Sequence, residues 1–187
     1  RIDTRTMQSI KVEKASKQAD WYISDGRGKI RIKAYRPDLG GSGQLSDKII
    51  YSYRMTGSSD WLAFSNWENG IGMQPIGVDD LSNSAYVLKN LDGRLALYRV
   101  KLDGSMATEL VYKNDKVDVD NVVRLNSDSK IVGLSYAEEK RKIVYFDPQY
   151  TKLTASLAKA LPNLPIIGIV QTSSDEKKIL IFAGSDS

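Results

Sequence analysis

Short runs of alternating apolar and polar residues dominate the chain. They include KIRIK at Lys29–Lys33, IIYSY at Ile49–Tyr53, AYVL at Ala85–Leu88 and LALYRV at Leu95–Val100. IVGL at Ile131–Leu134, IVYF at Ile143–Phe146 and ILIF at Ile179–Phe182 complete the set. Period-two alternation sends successive side chains to opposite faces, so each run predicts a β-strand. Turn residues lie between the runs: Asp25-Gly26, Asp92-Gly93, Asp103-Gly104, Ser127-Asp128-Ser129 and Ser173-Ser174-Asp175. Asp-Gly flanked by alternating residues is a hairpin signal. One segment has helical spacing, Lys152 to Leu161: Leu153, Leu157 and Leu161 fall on one face, and Pro162 ends it. Asp80 to Ser84 predicts a turn or a short helical turn.

The runs recur. KIIY, LALY and KIVY end at Tyr51, Tyr98 and Tyr145, 47 residues apart each time. The strand before each tyrosine begins near Lys29, Ser84 and Lys130, and a fourth such strand begins near Lys178. Another apolar run and a polar turn precede each of these. A fourth element follows the tyrosine strand: DWLAFSNW in the first unit, ATELVY in the second and the helix in the third. A four-strand unit repeating every ~40–50 residues predicts β-propeller blades. A lone four-stranded sheet cannot bury both faces, so blades need neighbours.

The fold class expected is therefore all-β: a partial β-propeller of about three four-stranded antiparallel blades plus flanking strands, with one short helix near 152–161. The whole of 1–187 forms one partial propeller domain. Its blades run roughly 19–67, 73–114 and 117–162, with a half blade at 164–183, and Met7 to Lys14 supplies an outer strand of a preceding blade. The chain opens RIDTRTMQSI, without an initiator Met. On this count it starts and stops inside blades, so the expectation is a segment of a longer protein. A cut propeller exposes strand edges, which predicts self-association through them.

Composition narrows the chemistry more than the fold. The 187 residues carry 41% hydrophobic and 27% charged residues, typical of a soluble globular protein. Neither cytoplasm nor periplasm is singled out. The net charge of +4 comes from 27 basic and 23 acidic residues, interspersed. The short cluster Lys140-Arg141-Lys142 reads as a solvated turn, so no nucleic-acid partner is expected. No run is long enough for a membrane-spanning helix. There is no cysteine and no histidine. Thiolate metal sites are excluded, and the commonest general base and metal ligand is missing.

Several motifs invite chemistry and read better as structure. Ser127-x-x-Lys130 and Ser174-x-x-Lys177 match S-x-x-K but lie in predicted hairpin turns without partner motifs. Asp115, Asp118 and Asp120 lack the glycine and distal Glu of a calcium loop; Asp118 and Asp120 are expected on one face of a strand. Asp79-Asp80 suits a turn cap better than a place pointing into the channel. Gly40-Gly-Ser-Gly43 reads as a flexible loop without a phosphate-loop lysine. Trp21, Trp61 and Trp67 are expected to pack between blades rather than to form a peptide or sugar surface. No catalytic, cofactor or metal residue is assigned, and substrate-binding residues stay unknown.

DWYISDGRGKIRIKAY, followed by IIYSYR and DWLAF, resembles the N-terminal propeller of prolyl-oligopeptidase-like serine peptidases. So does DDLSNSAYVLKNLDGRLALYRVKLDG, followed by VDVDNVVRLNSDSKIVGLSYAEEKRKIVYFDP. The likeness is to the dipeptidyl-aminopeptidase and acylaminoacyl-peptidase type and covers about residues 19–187. It implies a C-terminal α/β-hydrolase domain as partner, with a Ser-Asp-His triad absent from this chain. There is no G-x-S-x-G here; Gly40-Gly-Ser-Gly-Gln44 lacks the last glycine. The resemblance thus implies a non-catalytic segment, without cofactor, that filters peptide substrates on their way to the hydrolase site. The alternative is a self-standing TolB-like propeller module for protein–protein binding.

Overall fold

A computed structural model of the chain describes residues 2–14, 16–41, 43–125, 130–164, 166–173 and 175–185. It divides into two compact units, residues 1–118 and 119–187. Among the described residues the fold is all-β with one helix, and every strand pairing is antiparallel. Among the described residues no sheet closes on itself.

The first unit holds two meandering sheets. One contains β1 (Ala19–Ser24), β2 (Ile30–Tyr35), β3 (Ile49–Tyr53), β4 (Leu62–Glu68) and the two-residue β5 (Ile71–Gly72), in that order. The other contains β6 (Gln74–Asp79), β7 (Ser84–Leu91), β8 (Arg94–Lys101) and β9 (Thr108–Tyr112). Alternation decides the packing. On β2 and β3, Ile32, Ala34, Ile49, Tyr51 and Tyr53 are buried, while Lys33, Ile50 and Ser52 on the other face are half-buried. The buried set joins Val78, Ala85, Val87, Val100 and Leu102 of the second sheet and its adjoining loop in one apolar cluster. Each Val, Leu or Ile of this set contributes about 1.5–3 kcal/mol by leaving water.

The second unit holds β10 (Val119–Leu125), β11 (Lys130–Ala137) and β12 (Arg141–Tyr145), then helix α1 (Pro148–Ala160), then the hairpin β13 (Ile166–Thr172) and β14 (Ile179–Gly184). Its core gathers Leu125, Val132, Tyr150 and Ile169, with Tyr145, Leu153 and Ile181 alongside. Ile169 faces Ile181 across the β13–β14 hairpin. The other face of that hairpin is open: Ile166, Val170, Leu180 and Phe182 are exposed.

Several expectations need correction. Residues 7–14 form no strand; the N-terminal segment has only an isolated bridge, Ile2 to Ser9. Ser9 to Glu13 does alternate, but its apolar side chains Ile10 and Val12 stay exposed, so no buried face rewards pairing it. The third sheet has three strands rather than four, since α1 follows β12 directly. The first has a fifth short strand, made by the Asn69-Gly70 turn with both residues at positive φ. The helix begins a turn earlier than its leucine spacing suggests. Asp147 caps it by accepting from Gln149 N at 2.8 Å, and Pro148 sits in its first turn.

Candidate functional site

The β1–β2 turn is the starting point. Asp25 is buried, and its carboxylate accepts from Arg27 N (2.8 Å) and Lys29 N (3.1 Å). Gly26 and Gly28 take the positive φ angles that this tight turn requires. The strand pairing then slips: Ile23 faces Ile32, but Ser24 faces Ile30. Arg31 is left as the extra residue of a β-bulge, a feature that re-aims a side chain.

Arg31 consequently lies inside, only 3% exposed. Its Nε donates to Arg54 O (3.0 Å) and its Nη2 to Asn83 Oδ1 (2.6 Å); Nη1 stands 3.6 Å from Asp80 Oδ1. Asp80 also pairs with Arg27 (3.2 Å), and Thr56 Oγ1 donates to Asn83 Oδ1 (3.0 Å). Asn83 has φ 47°, a left-handed conformation that Asn tolerates. Burial lowers the Arg31 pKa from its ordinary value, and the charges of Asp80 and Asp25 oppose that. A buried guanidinium stays charged, so the network is what makes its position tolerable.

Beside this network lies a cavity of about 400 Å³. Its walls are the Gly28–Arg31 stretch, the Arg54–Ser59 stretch, Asp80 and Val12. Arg54 donates from Nε to Ser59 O (2.8 Å), and its guanidinium lies 3.9 Å from the centre of a Trp61 ring. Lys33 Nζ is 4.6 Å from a Trp61 ring. Trp61 thus stacks against two cations. Such a cavity combines fixed positive charge, hydroxyl groups and the apolar surface of Ile30 and Met55. Its chemistry is that of binding a group with hydrogen-bond acceptors.

The sequence candidates land elsewhere. Asp115 pairs with Lys113 (3.1 Å), and Asp118 accepts from Leu95 N (2.9 Å). Asp118 precedes β10, so it does not share a strand face with Asp120 as expected. Asp120 accepts from Ser135 Oγ (2.7 Å) and pairs with Arg141 (2.7 Å). Among the described residues no group of three or more acidic, His or Cys side chains could hold a metal ion. Asp79 does act at the turn, accepting from Ser82 N (3.0 Å), whereas Asp80 turns to the arginines.

Ser127, Asp128, Ser129 and Ser174 lie outside the described residues, so neither S-x-x-K serine is placed; Lys130 pairs with Glu176 (2.6 Å). Ser42 is likewise outside them, and its loop is pinned by Leu39 N donating to Gln44 O (2.8 Å). Arg141 and Lys142 begin β12 and carry exposed ion pairs, to Asp120 and Glu138. Trp21 and Trp67 pack on the first unit's core, Trp21 edge-on to Tyr51. Tyr51, Tyr98 and Tyr145 all occupy the third strand of their sheets, opposite Ala34, Val87 and Gly133 of the second.

Sequence reasoning missed Arg31. KIRIK places it on the polar face, and nothing in the letters marks a bulge. The Asp25-Gly26 turn that leads into its strand is the one local signal. No family model, no curated protein and no solved structure matches the chain.

Proposed function

We propose that the chain is a non-catalytic segment of a β-propeller, and that this propeller serves a prolyl-oligopeptidase-like serine peptidase. There it would limit which peptides reach an α/β-hydrolase domain. The observation that carries the reading is the recurrence of one sheet design. Three successive sheets are meanders whose third strand bears a tyrosine, at 47-residue intervals. In the first unit two such sheets pack face to face through apolar side chains, as neighbouring blades do. The open face of β13–β14 suits a further sheet of the same kind.

The non-catalytic part of the reading rests on the absence of histidine and of a nucleophile elbow from all 187 residues. Purified chain is incubated with p-nitrophenyl esters and aminoacyl-nitroanilides. Hydrolysis is expected to stay at the buffer rate; turnover that co-purifies with the chain and follows its concentration contradicts the reading.

A further inference from the structure

We infer that the cavity beside Arg31 is a binding site for an extended peptide bearing a carboxylate next to an apolar residue, and that Val12–Glu13 of this chain lies at its rim as an internal ligand, Val12 on the wall and Glu13 on Arg54. The inference stands on the cavity alone and is independent of the peptidase reading.

The N-terminal segment supplies the first observation. Met7 and Ile10 are exposed, Val12 is 42% exposed, and residues 10–14 belong to no strand. Yet Glu13 is drawn in. Its Oε2 lies 2.7 Å from Arg54 Nη1, and the two side chains are only 20% and 18% exposed. Val12 forms part of the cavity wall. The segment therefore meets the cavity as a bound peptide would, with an aliphatic side chain beside a carboxylate.

The quality of that contact supplies the second. Glu13 Oε2 is buried but receives no well-aligned hydrogen bond among the described residues, despite its closeness to Arg54. A buried carboxylate oxygen without an aligned donor forfeits much of the strength of a charge-assisted pair. Tethering explains how such a contact persists, since a linked segment acts at an effective concentration near the millimolar range. A free peptide, unconstrained by the chain leading to Ala19, can align both carboxylate oxygens with Arg54.

The cavity supplies the third. With Val12 in its wall it still leaves about 400 Å³ open, within the ~300–1,000 Å³ of ligand pockets. Lys29, Arg31 and Arg54 outnumber Asp80 on its walls, so acidic ligands are favoured. Ile30 and Met55 offer the apolar surface for the neighbouring side chain. Trp61, stacked on Arg54, reports on the site.

The test uses the full chain and the peptide acetyl-IKVEK-amide, which copies residues 10–14, with titration calorimetry and tryptophan emission as readouts. The Glu13→Ala variant removes the internal carboxylate and is expected to bind this peptide at least ~10-fold more tightly than the parent chain, a difference of about 1.4 kcal/mol. Acetyl-IKVQK-amide is expected to bind Glu13→Ala at least ~10-fold more weakly than the acidic peptide. Because the glutamine peptide changes no protein residue, folding cannot confound that comparison. Arg54→Gln in the Glu13→Ala chain is expected to abolish the preference, and Arg54→Lys to retain part of it. Equal affinity of parent and Glu13→Ala, equal affinity for the two peptides, or no binding by Glu13→Ala would each overturn the inference.

Discussion

Removing one oxygen atom from Tyr51 is expected to stabilise the protein. Tyr51 sits in the middle of β3, facing Ala34 on one side and Ser65 on the other, and is only 1% exposed. Its ring lies edge-on to Trp21, with centroids 5.9 Å apart. Its hydroxyl is buried and has no hydrogen-bond partner among the described residues. Leaving a hydroxyl unpaired in protein costs about 1–3 kcal/mol. The small void left by its removal costs a few tenths, at about 24 cal/mol per Å³. Tyr51→Phe keeps the ring contact and should therefore gain about 1 kcal/mol, or roughly 2–4 °C in Tm for a chain of this size. Chemical denaturation at pH 7 measures it.

Alkaline pH sharpens the same test. Burial pushes the Tyr51 phenol well above its ordinary range; Asp20 adds to this and Arg36 opposes it. A group whose folded pKa is raised holds its proton more tightly when folded. Its contribution is full below the unfolded pKa, near 10, and is lost as pH rises beyond it. Parent chain should lose stability there, by up to about 1.4 kcal/mol per pH unit from this group, while Tyr51→Phe escapes that loss. The gap between them should widen above pH ~10. A variant destabilised by more than about 0.5 kcal/mol at pH 7, against the expected gain, would show that the hydroxyl is bonded. A gap that stays constant with pH would show that the phenol ionises as readily folded as unfolded, which contradicts its burial.

Three further outcomes are expected. Arg31→Met leaves Arg54 O without its donor and Asp80 with Arg27 alone; Asp80 is a quarter exposed, so the loss is discounted to about 2–4 kcal/mol, read by urea unfolding. Gly133→Ala places a Cβ inside the contact distance of Val144 O on the neighbouring strand, where backbone must move; a loss of about 1–3 kcal/mol is expected in the same assay. Leu180 and Phe182 are 62% and 55% exposed on the open face of β13–β14. Sedimentation should show concentration-dependent association of the parent chain that the Leu180→Lys/Phe182→Lys double variant lacks, and a parent monomeric at every concentration would contradict this.

The strands were legible because their physics is local. IIYSY alternates cleanly, IVGL is apolar on both faces and is buried on both, and Asp92-Gly93 closes the β7–β8 hairpin with both residues at positive φ. The helix was legible in its leucines but not in its start. Asp147-Pro148 is a capping signal that carries no apolar periodicity, so spacing alone passed it by. The cavity was not legible. It depends on a one-residue slip between β1 and β2, and a slip moves a side chain to the other face without any change in composition. Its partners Asn83 and Asp80 lie about 50 residues away along the chain, beyond the reach of local pattern. Likewise Glu13 read as one more charge in a polar terminus, and only the fold brings it to Arg54.

The proposed role is tested most directly on the native polypeptide that contains this chain, recovered from its source with an antibody against residues 1–187. It is treated with a fluorophosphonate probe, digested, and the labelled peptide identified by mass spectrometry. The expected result is one labelled serine outside these residues, within a G-x-S-x-G sequence. A native polypeptide that takes no label, or takes it on a serine within residues 1–187, would contradict a non-catalytic propeller segment serving a peptidase.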